Sequence, residues 1–285
     1  MIFAERVPYP QTAGLFIDRA RHPLQGLWRP PGPDHAEGNR GMNRSDIKRC
    51  VVIVHSVGDG LGVLAQVLVQ QKIACRFWYI SAEPDPPLSA PEADLVISLG
   101  GSQHPFANEA DRAWQDAETA YVLAAISAGK AVLANCLGAQ LLAGALGGRV
   151  GRLAEPEIGL VALDGIPAES VLAPLAHAEV PVYQWHGYGF SCPSCARQLA
   201  VSASTLPFCQ AFEVGPRVLA VQFHLELNRS LMLAWLSEDP SNAELTGRVC
   251  AEMDTHSERT EKTCADVFGR WLPTAFDTPL DETGN

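Results

Sequence analysis

What the chain does not contain narrows its function first. No run approaches the ~18 apolar residues that a membrane span needs, and the N-terminus has no basic segment leading into an uninterrupted apolar core. Lys and Arg are nowhere clustered, and the formal net charge is −11. Nucleic acid and anionic membranes are recognised mainly through such clusters, so neither is expected as a partner. The nucleotide-binding patterns are missing too. No Walker sequence occurs, and Gly58-Asp-Gly-Leu-Gly62 does not satisfy Gly-x-Gly-x-x-Gly. Those glycines read as turn residues, and no cofactor is expected.

The eight cysteines do not have the setting of a disulfide framework, which belongs to short secreted chains. The expected location is the cytoplasm, with reduced thiols. Cys192-Pro-Ser-Cys195 is a single Cys-x-x-Cys; without a second pair at ligand spacing, no metal site is expected.

With 285 residues, 47% hydrophobic and 19% charged, the chain can bury a substantial core. Residues 1–45 are poor in pattern and rich in Pro, Gly and Arg, as in Trp28-Arg-Pro-Pro-Gly-Pro33, and are expected to be a loosely ordered tail. Met42 offers an alternative start to Met1. Cys50-Val-Val-Ile-Val-His55 is a continuous apolar run of the kind buried on both faces of a parallel sheet. Strand-like Cys75–Ile80 and Asp94–Leu99 follow, with helical patterns over Leu61–Leu68 and Glu109–Ala128. This β-α-β order predicts an α/β fold with three layers, helices covering both faces of a mainly parallel central sheet. Ligands bind such sheets at the carboxyl ends of the strands.

Beyond Gly148 short strand-like segments at 158–163, 180–185, 198–202, 209–214 and 218–226 predict a mixed or antiparallel extension of the same sheet. From Arg229 the pattern is helical. One helix runs through Leu231–Leu236, and two more are expected at 242–253 and 257–272. The last carries Cys264, Val267, Phe268, Trp271 and Leu272 on one stripe. The expected division is a catalytic domain at 46–236, a helical extension at 237–276 packed on it or forming a homodimer surface, and a disordered acidic tail at 277–285.

Two segments carry chemistry. Ala131-Val-Leu-Ala-Asn-Cys136 is a buried strand, and Leu137, Leu141, Leu142, Ala145 and Leu146 recur at helical spacing until Gly147-Gly148. Cys136 therefore sits on an elbow. The unpaired N–H groups and positive dipole end of the new helix favour a thiolate there and could hold an oxyanion. Gln140, four residues on, lies on the same side of the helix. In Val218–Glu226 alternation puts Gln222, His224 and Glu226 on one face, opposite Leu219, Val221, Phe223 and Leu225. A carboxylate two residues from a histidine can fix its tautomer and stabilise its imidazolium. Each has a plain structural alternative: a small buried thiol, and a satisfied His–Glu pair.

Together, Leu99-Gly-Gly-Ser102, Asn135-Cys-Leu-Gly-Ala-Gln-Leu-Leu142, Leu146-Gly-Gly-Arg-Val150, Trp185-His-Gly187 and Val221-Gln-Phe-His-Leu-Glu226 resemble, in order, the class I glutamine amidotransferase family. The resemblance covers roughly Cys50 to Leu236 and is nearest to free-standing members similar to the glutaminase part of GMP synthase. It implies the family's flavodoxin-like fold and a Cys136, His224, Glu226 triad. It further implies an oxyanion hole from the N–H groups of Gly101 and Leu137, and substrate contacts at Gly100, Gln140, His186 and Tyr188. Three positions depart from the family pattern. Ala134 stands for the usual Gly, Tyr188 for the Asp of His-Gly-Asp, and Leu225 for the Pro between the catalytic His and Glu.

The implied activity is hydrolysis of the side-chain amide of glutamine through a cysteine thioester, with release of ammonia. Nothing else in the chain could use that ammonia, so if the protein serves a synthetase, that partner is expected to be a separate chain. Tyr188 keeps a second reading open, a γ-glutamyl peptide or amine hydrolase of the same fold. A third is a binding or regulatory protein that lost activity.

Overall fold

A computed structural model of the chain describes residues 47–56, 58–106, 109–202, 208–238 and 243–278. The N-terminal tail, the choice between Met1 and Met42, and nearly all of the acidic tail lie outside them.

Among the described residues nine strands form one sheet. In chain order the elements are β1 (Lys48–Val54), α1 (Leu64–Gln70), β2 (Ile73–Tyr79), β3 (Leu95–Ser98), α2 (Glu109–Ser127), β4 (Ala131–Asn135) and α3 (Leu137–Ala145). They continue with β5 (Val150–Val161), α4 (Ala173–Ala178), β6 (Val182–Phe190), β7 (Arg197–Val201), β8 (Cys209–Val214), β9 (Val218–Val221), α5 (Arg229–Glu238) and α6 (Ala243–Asp277). The strand order is β2-β1-β3-β4-β9-β8-β6-β5, with β7 beside β8. The first five strands run parallel, and the pairs beyond β9 are antiparallel.

Inside its edge strand β2 the parallel part is buried on both faces, as its apolar runs require. Cys50, Val52 and Val54 join Leu95, Ile97, Leu133, Leu219 and Val221 on one face, beneath Leu64, Val67 and Leu68 of α1 and Val267, Phe268 and Leu272 of α6. Val51 and Ile53 turn to the other with Val96, Val132, Ala134 and Ala220, beneath Tyr121, Val122 and Ala125 of α2 and Ala139, Leu142 and Ala143 of α3. Helices therefore cover both faces, the three-layer α/β/α arrangement. A third cluster joins Leu231, Met232 and Leu236 of α5 to Val249 and Met253 of α6 and Tyr183 of β6.

Besides the unexpected α4 and strands β5 and β6 that run beyond the expected 158–163 and 180–185, two features differ from the sequence reading. The C-terminal region is one helix, α6, where two were expected. No Gly or Pro interrupts residues 253–257, and Thr255 returns its hydroxyl to the Ala251 carbonyl at 3.0 Å, so the polar residues there stay inside the helix. The stripe Cys264, Val267, Phe268, Trp271 and Leu272 is buried against the sheet. Arg217 ties down the far end by donating to the carbonyls of Ala275 (2.8 Å) and Thr278.

The other difference is that β9 stops at Val221. The last bond between the two strands runs from the Cys136 N–H to the Val221 carbonyl at 2.9 Å, and from Gln222 the chain leaves β4 as the elbow turns away. The backbone then finds other partners: Gln222 N–H donates to Gln210 O (2.8 Å) and His224 N–H to Tyr183 O (3.0 Å). The facial division survives, with Leu219, Val221, Phe223 and Leu225 in the core. Helix α4 carries no periodic signal that the sequence reading detected.

Candidate active site

Three chain segments meet at the carboxyl ends of the parallel strands β3, β4 and β9. The first is the β4–α3 elbow. Cys136 has φ 48° and ψ −105°, a conformation non-glycine residues rarely adopt and one that costs about 1–3 kcal/mol. It is held there on both sides. Cys136 N–H donates to Val221 O, Gly138 N–H to Leu99 O at 3.2 Å, and Gln140 N–H to Cys136 O at 2.9 Å. Leu137 opens helix α3, so its N–H has no acceptor one turn back within the helix. The Cys136 residue itself is 4% exposed.

The second segment, 222–226, brings His224 and Glu226. His224 Nδ1 lies 2.7 Å from Glu226 Oε1. Asn135 Nδ2 donates to the other carboxylate oxygen, Oε2, at 2.7 Å. Glu226 is thus a buried acceptor with a partner on each oxygen, the arrangement that makes a buried carboxylate tolerable. Its own backbone is clamped by a glycine. Val63 N–H donates to Glu226 O at 2.9 Å, and a Cβ on Gly62 (φ +46°) would fall within 1.7 Å of that oxygen. No larger residue fits at Gly62.

Burial pulls the His224 pKa down, but the charges of Glu226 and Cys136, with their hydrogen bonds to the ring, more than offset it. The pKa stands well above the ordinary histidine value. Nε2 is buried, with no nitrogen or oxygen partner in hydrogen-bonding geometry. Cys136 is the group that acts on the ring besides Glu226. Trp235 of α5 packs edge-on against the imidazole, ring centres 4.8 Å apart, and its Nε1 donates to Gly58 O at 3.2 Å. Trp185 packs against Trp235 in turn, at 6.2 Å.

The third segment is the turn after β3. A Cβ on Gly100 would stand 2.9 Å from His224 Cε1 and 3.4 Å from the Cys136 Cβ, so this glycine is in contact with both. A Cβ on Gly101 would collide with His55 and with Leu137. The candidate residues Cys136, His224, Glu226, Gly100, Gly101 and Leu137 are therefore gathered in one place.

The remaining candidates are engaged otherwise. Gln140, expected to touch substrate, is buried and donates to Tyr188 O (3.0 Å) and Gln222 Oε1 (3.1 Å). His186 has both ring nitrogens occupied. Nδ1 faces Tyr188 O at 2.8 Å, and Nε2 faces Glu157 Oε2 at 3.0 Å and Gln184 Oε1 at 2.9 Å. It belongs to a buried polar network in which Ser202 and Gln210 also donate to Glu157. Its side chain is a framework member in this arrangement. Tyr188 is half-buried, its ring 5.2 Å from that of His104.

Sequence reasoning gave no role to Asn135, Trp235, His55 or Glu118. Asn135 adjoins the nucleophile candidate, and His55 is a lone polar residue ending a buried apolar strand; each was a visible signal. Trp235 and Glu118 lie on helices with nothing local to mark them. Among the described residues no group of three or more His, Cys, Asp or Glu is placed to hold a metal. No helix among them is long and apolar enough to cross a membrane.

The fold is shared with solved structures. A glutamine amidotransferase of Thermotoga maritima aligns over 81% of this chain and 99% of its own, with 23% identity and a TM-score of 0.70. One from Methylobacillus flagellatus aligns over 84% and 100%, with 21% identity and a TM-score of 0.69. A candidate GMP synthase component of Thermoplasma acidophilum aligns over 70% and 98%, with 19% identity and a TM-score of 0.50. No curated protein matches the chain. The family model of the class-I glutamine amidotransferases matches residues 62–236, more than half the sequence and the whole of the region that builds the elbow, the glycine turn and the His-x-Glu segment. The chain belongs to the class-I glutamine amidotransferase family.

Proposed function

We propose that this protein hydrolyses the side-chain amide of glutamine, with Cys136 as nucleophile, His224 as general base and acid, and Glu226 as the group that orients His224. The observation that carries this reading is the position of His224. One ring nitrogen is fixed by Glu226 at 2.7 Å, and the other is buried without a nitrogen or oxygen partner beside a cysteine on a strained elbow.

The Cys136 sulfur attacks the amide carbon, and the resulting oxyanion is held by the N–H groups of Leu137 and Gly101. Each such donor contributes about 3 kcal/mol in sites of this kind. The tetrahedral intermediate collapses as His224 gives its proton to the departing nitrogen, leaving a γ-glutamyl thioester and ammonia. Water then adds to the thioester with its proton passing to His224, and glutamate leaves as the C–S bond breaks. Gly100 shapes the wall beside His224 and Cys136. Tyr188 borders the amino-acid end of the substrate, and Gln140 supports it by holding the Tyr188 carbonyl. Residues 46–236 form the catalytic domain and α6 packs on it.

A second substrate reading is favoured by one observation. Tyr188 stands where the family has Asp, half-buried with its ring 5.2 Å from that of His104, so the pocket lacks a carboxylate there and a γ-glutamyl amine or peptide stays open as the substrate beside glutamine.

Ammonia or amine release from glutamine and a panel of γ-glutamyl amides and peptides, by the wild-type chain and Cys136→Ala, tests both. Release by the wild type that disappears in the variant is expected, and the best substrate chooses the leaving group. Equal release by the two proteins would remove Cys136 from the mechanism.

A further inference from the structure

A second buried histidine and glutamate lie behind the glycine turn. His55, at the carboxyl end of β1, places Nε2 2.7 Å from Glu118 Oε2 and Nδ1 2.8 Å from Gly100 O. The pair is all but fully buried, with side-chain exposures of 0% and 2%. Ser98 Oγ donates to the other Glu118 oxygen at 2.6 Å. A carbonyl only accepts, so Nδ1 must carry a proton. The turn rests directly on this histidine: a Cβ on Gly101 would be 2.8 Å from the His55 Cβ, and Gln103 Nε2 donates to His55 O at 3.2 Å.

A trans peptide sets its C=O and N–H in opposite directions. With the Gly100 carbonyl turned to His55, the Gly101 N–H is turned away from it, while Gly100 itself is packed on Cys136 and His224. Gly-Gly peptides flip readily, because neither residue has a Cβ to resist. The oxyanion donor therefore needs something to hold it.

We propose that His55, braced by Glu118, is a positioning residue that locks the Gly100–Gly101 peptide with its N–H on the nucleophile's side, so that the oxyanion hole is formed before substrate arrives. This rests on the reading of Cys136 and His224 given above. The electrostatics agree. Burial pulls the His55 pKa down, but Glu118, with smaller help from Asp59 and the Gly100 carbonyl, raises it to about 9. Both ring nitrogens then donate near neutral pH. Glu118 from α2 and Asp59 from the loop after β1 are the charged groups acting on the ring, and Trp114 covers it at 5.4 Å.

The test compares two replacements of His55, each combined with Glu118→Gln so that no buried carboxylate is left unpaired. His55→Asn keeps an amide nitrogen near the position of Nδ1 and can still donate to Gly100 O; His55→Leu cannot. The Leu combination is expected to lose roughly 30-fold in kcat, short of the ~100-fold or more for deleting an oxyanion donor outright. KM and the rate of Cys136 alkylation by iodoacetamide should stay near wild type, and the Asn combination should recover most of the loss. In crystals the Gly100 carbonyl should leave its position only in the Leu combination. Equal kcat for the two combinations, or an unmoved peptide in the Leu structure, would overturn the inference. If the wild-type chain turns over no γ-glutamyl amide, the proposed function falls instead, and the peptide orientation in the two structures still decides the role of His55.

Discussion

Gly100→Ala isolates the steric demand of the site. Gly100 does not have a left-handed φ, so alanine adds one methyl group and no backbone strain. That methyl would stand 2.9 Å from His224 Cε1, 3.4 Å from Cys136 Cβ and 3.5 Å from His224 Nδ1. Carbon atoms rest comfortably at about 3.5–4.0 Å, so something must retreat by roughly 0.6–1 Å. The imidazole has little freedom, with Nδ1 held at 2.7 Å by Glu226 and Trp235 against its edge. The turn is held too, by His55 on the Gly100 carbonyl. The displacement therefore falls on the spacing of Cys136 and His224, where about 1 Å costs ~100-fold in rate. Global stability should fall by only about 1–3 kcal/mol, the usual cost of overpacking by one group. Steady-state kinetics on the best γ-glutamyl substrate, beside a urea melt, separate the two effects. Activity within about threefold of wild type would refute the reasoning, since it would mean the site yields without losing its geometry.

Other predictions follow from the partners of the same groups. Asn135→Ala removes a donor from the buried Glu226 carboxylate and should cost about 1.5–3 kcal/mol in chemical denaturation, with a fall in kcat because His224 loses its braced partner. Stability should also fall with rising pH. The folded His55 pKa of about 9 exceeds the ordinary 6.5, so the folded protein holds the proton more tightly; the contribution, roughly 3 kcal/mol, is complete below pH 6.5 and gone above about 9. His224, also raised, acts in the same direction. Urea midpoints between pH 6 and 10 measure this, and a midpoint rising through that window would contradict it. Phe268→Ala, at a fully buried position of α6 on the sheet, should cost about 3–5 kcal/mol. A loss below 1 kcal/mol would mean that α6 is a detachable appendage.

Much of the fold was legible because parallel strands buried on both faces write themselves as unbroken apolar runs. Residues 50–54 carry that signature, and 95–98 and 131–134 repeat it. The elbow was legible from the change of period after Cys136. Where local signals were equivocal the reading erred. Residues 254–256 fell between two expected helices, but they hold no Gly or Pro and one helix runs through them. The alternation from Val218 to Glu226 continued in sequence beyond the point where strand pairing ended.

By itself the sequence determined the layers, the β-α-β order of the parallel half, and the residue types available for chemistry at the strand ends, since periodicity and turn composition are local properties. Only the tertiary structure decided which of those groups meet. Glu226 is paired with Asn135, 91 residues away, and His55 with Glu118, 63 residues away. It also turned Gln140 and His186 into supports for other parts of the chain, by satisfying their polar atoms internally. The reason is physical: a buried polar group must be satisfied by whatever the fold brings within about 3 Å, and nothing in the local sequence specifies that neighbour.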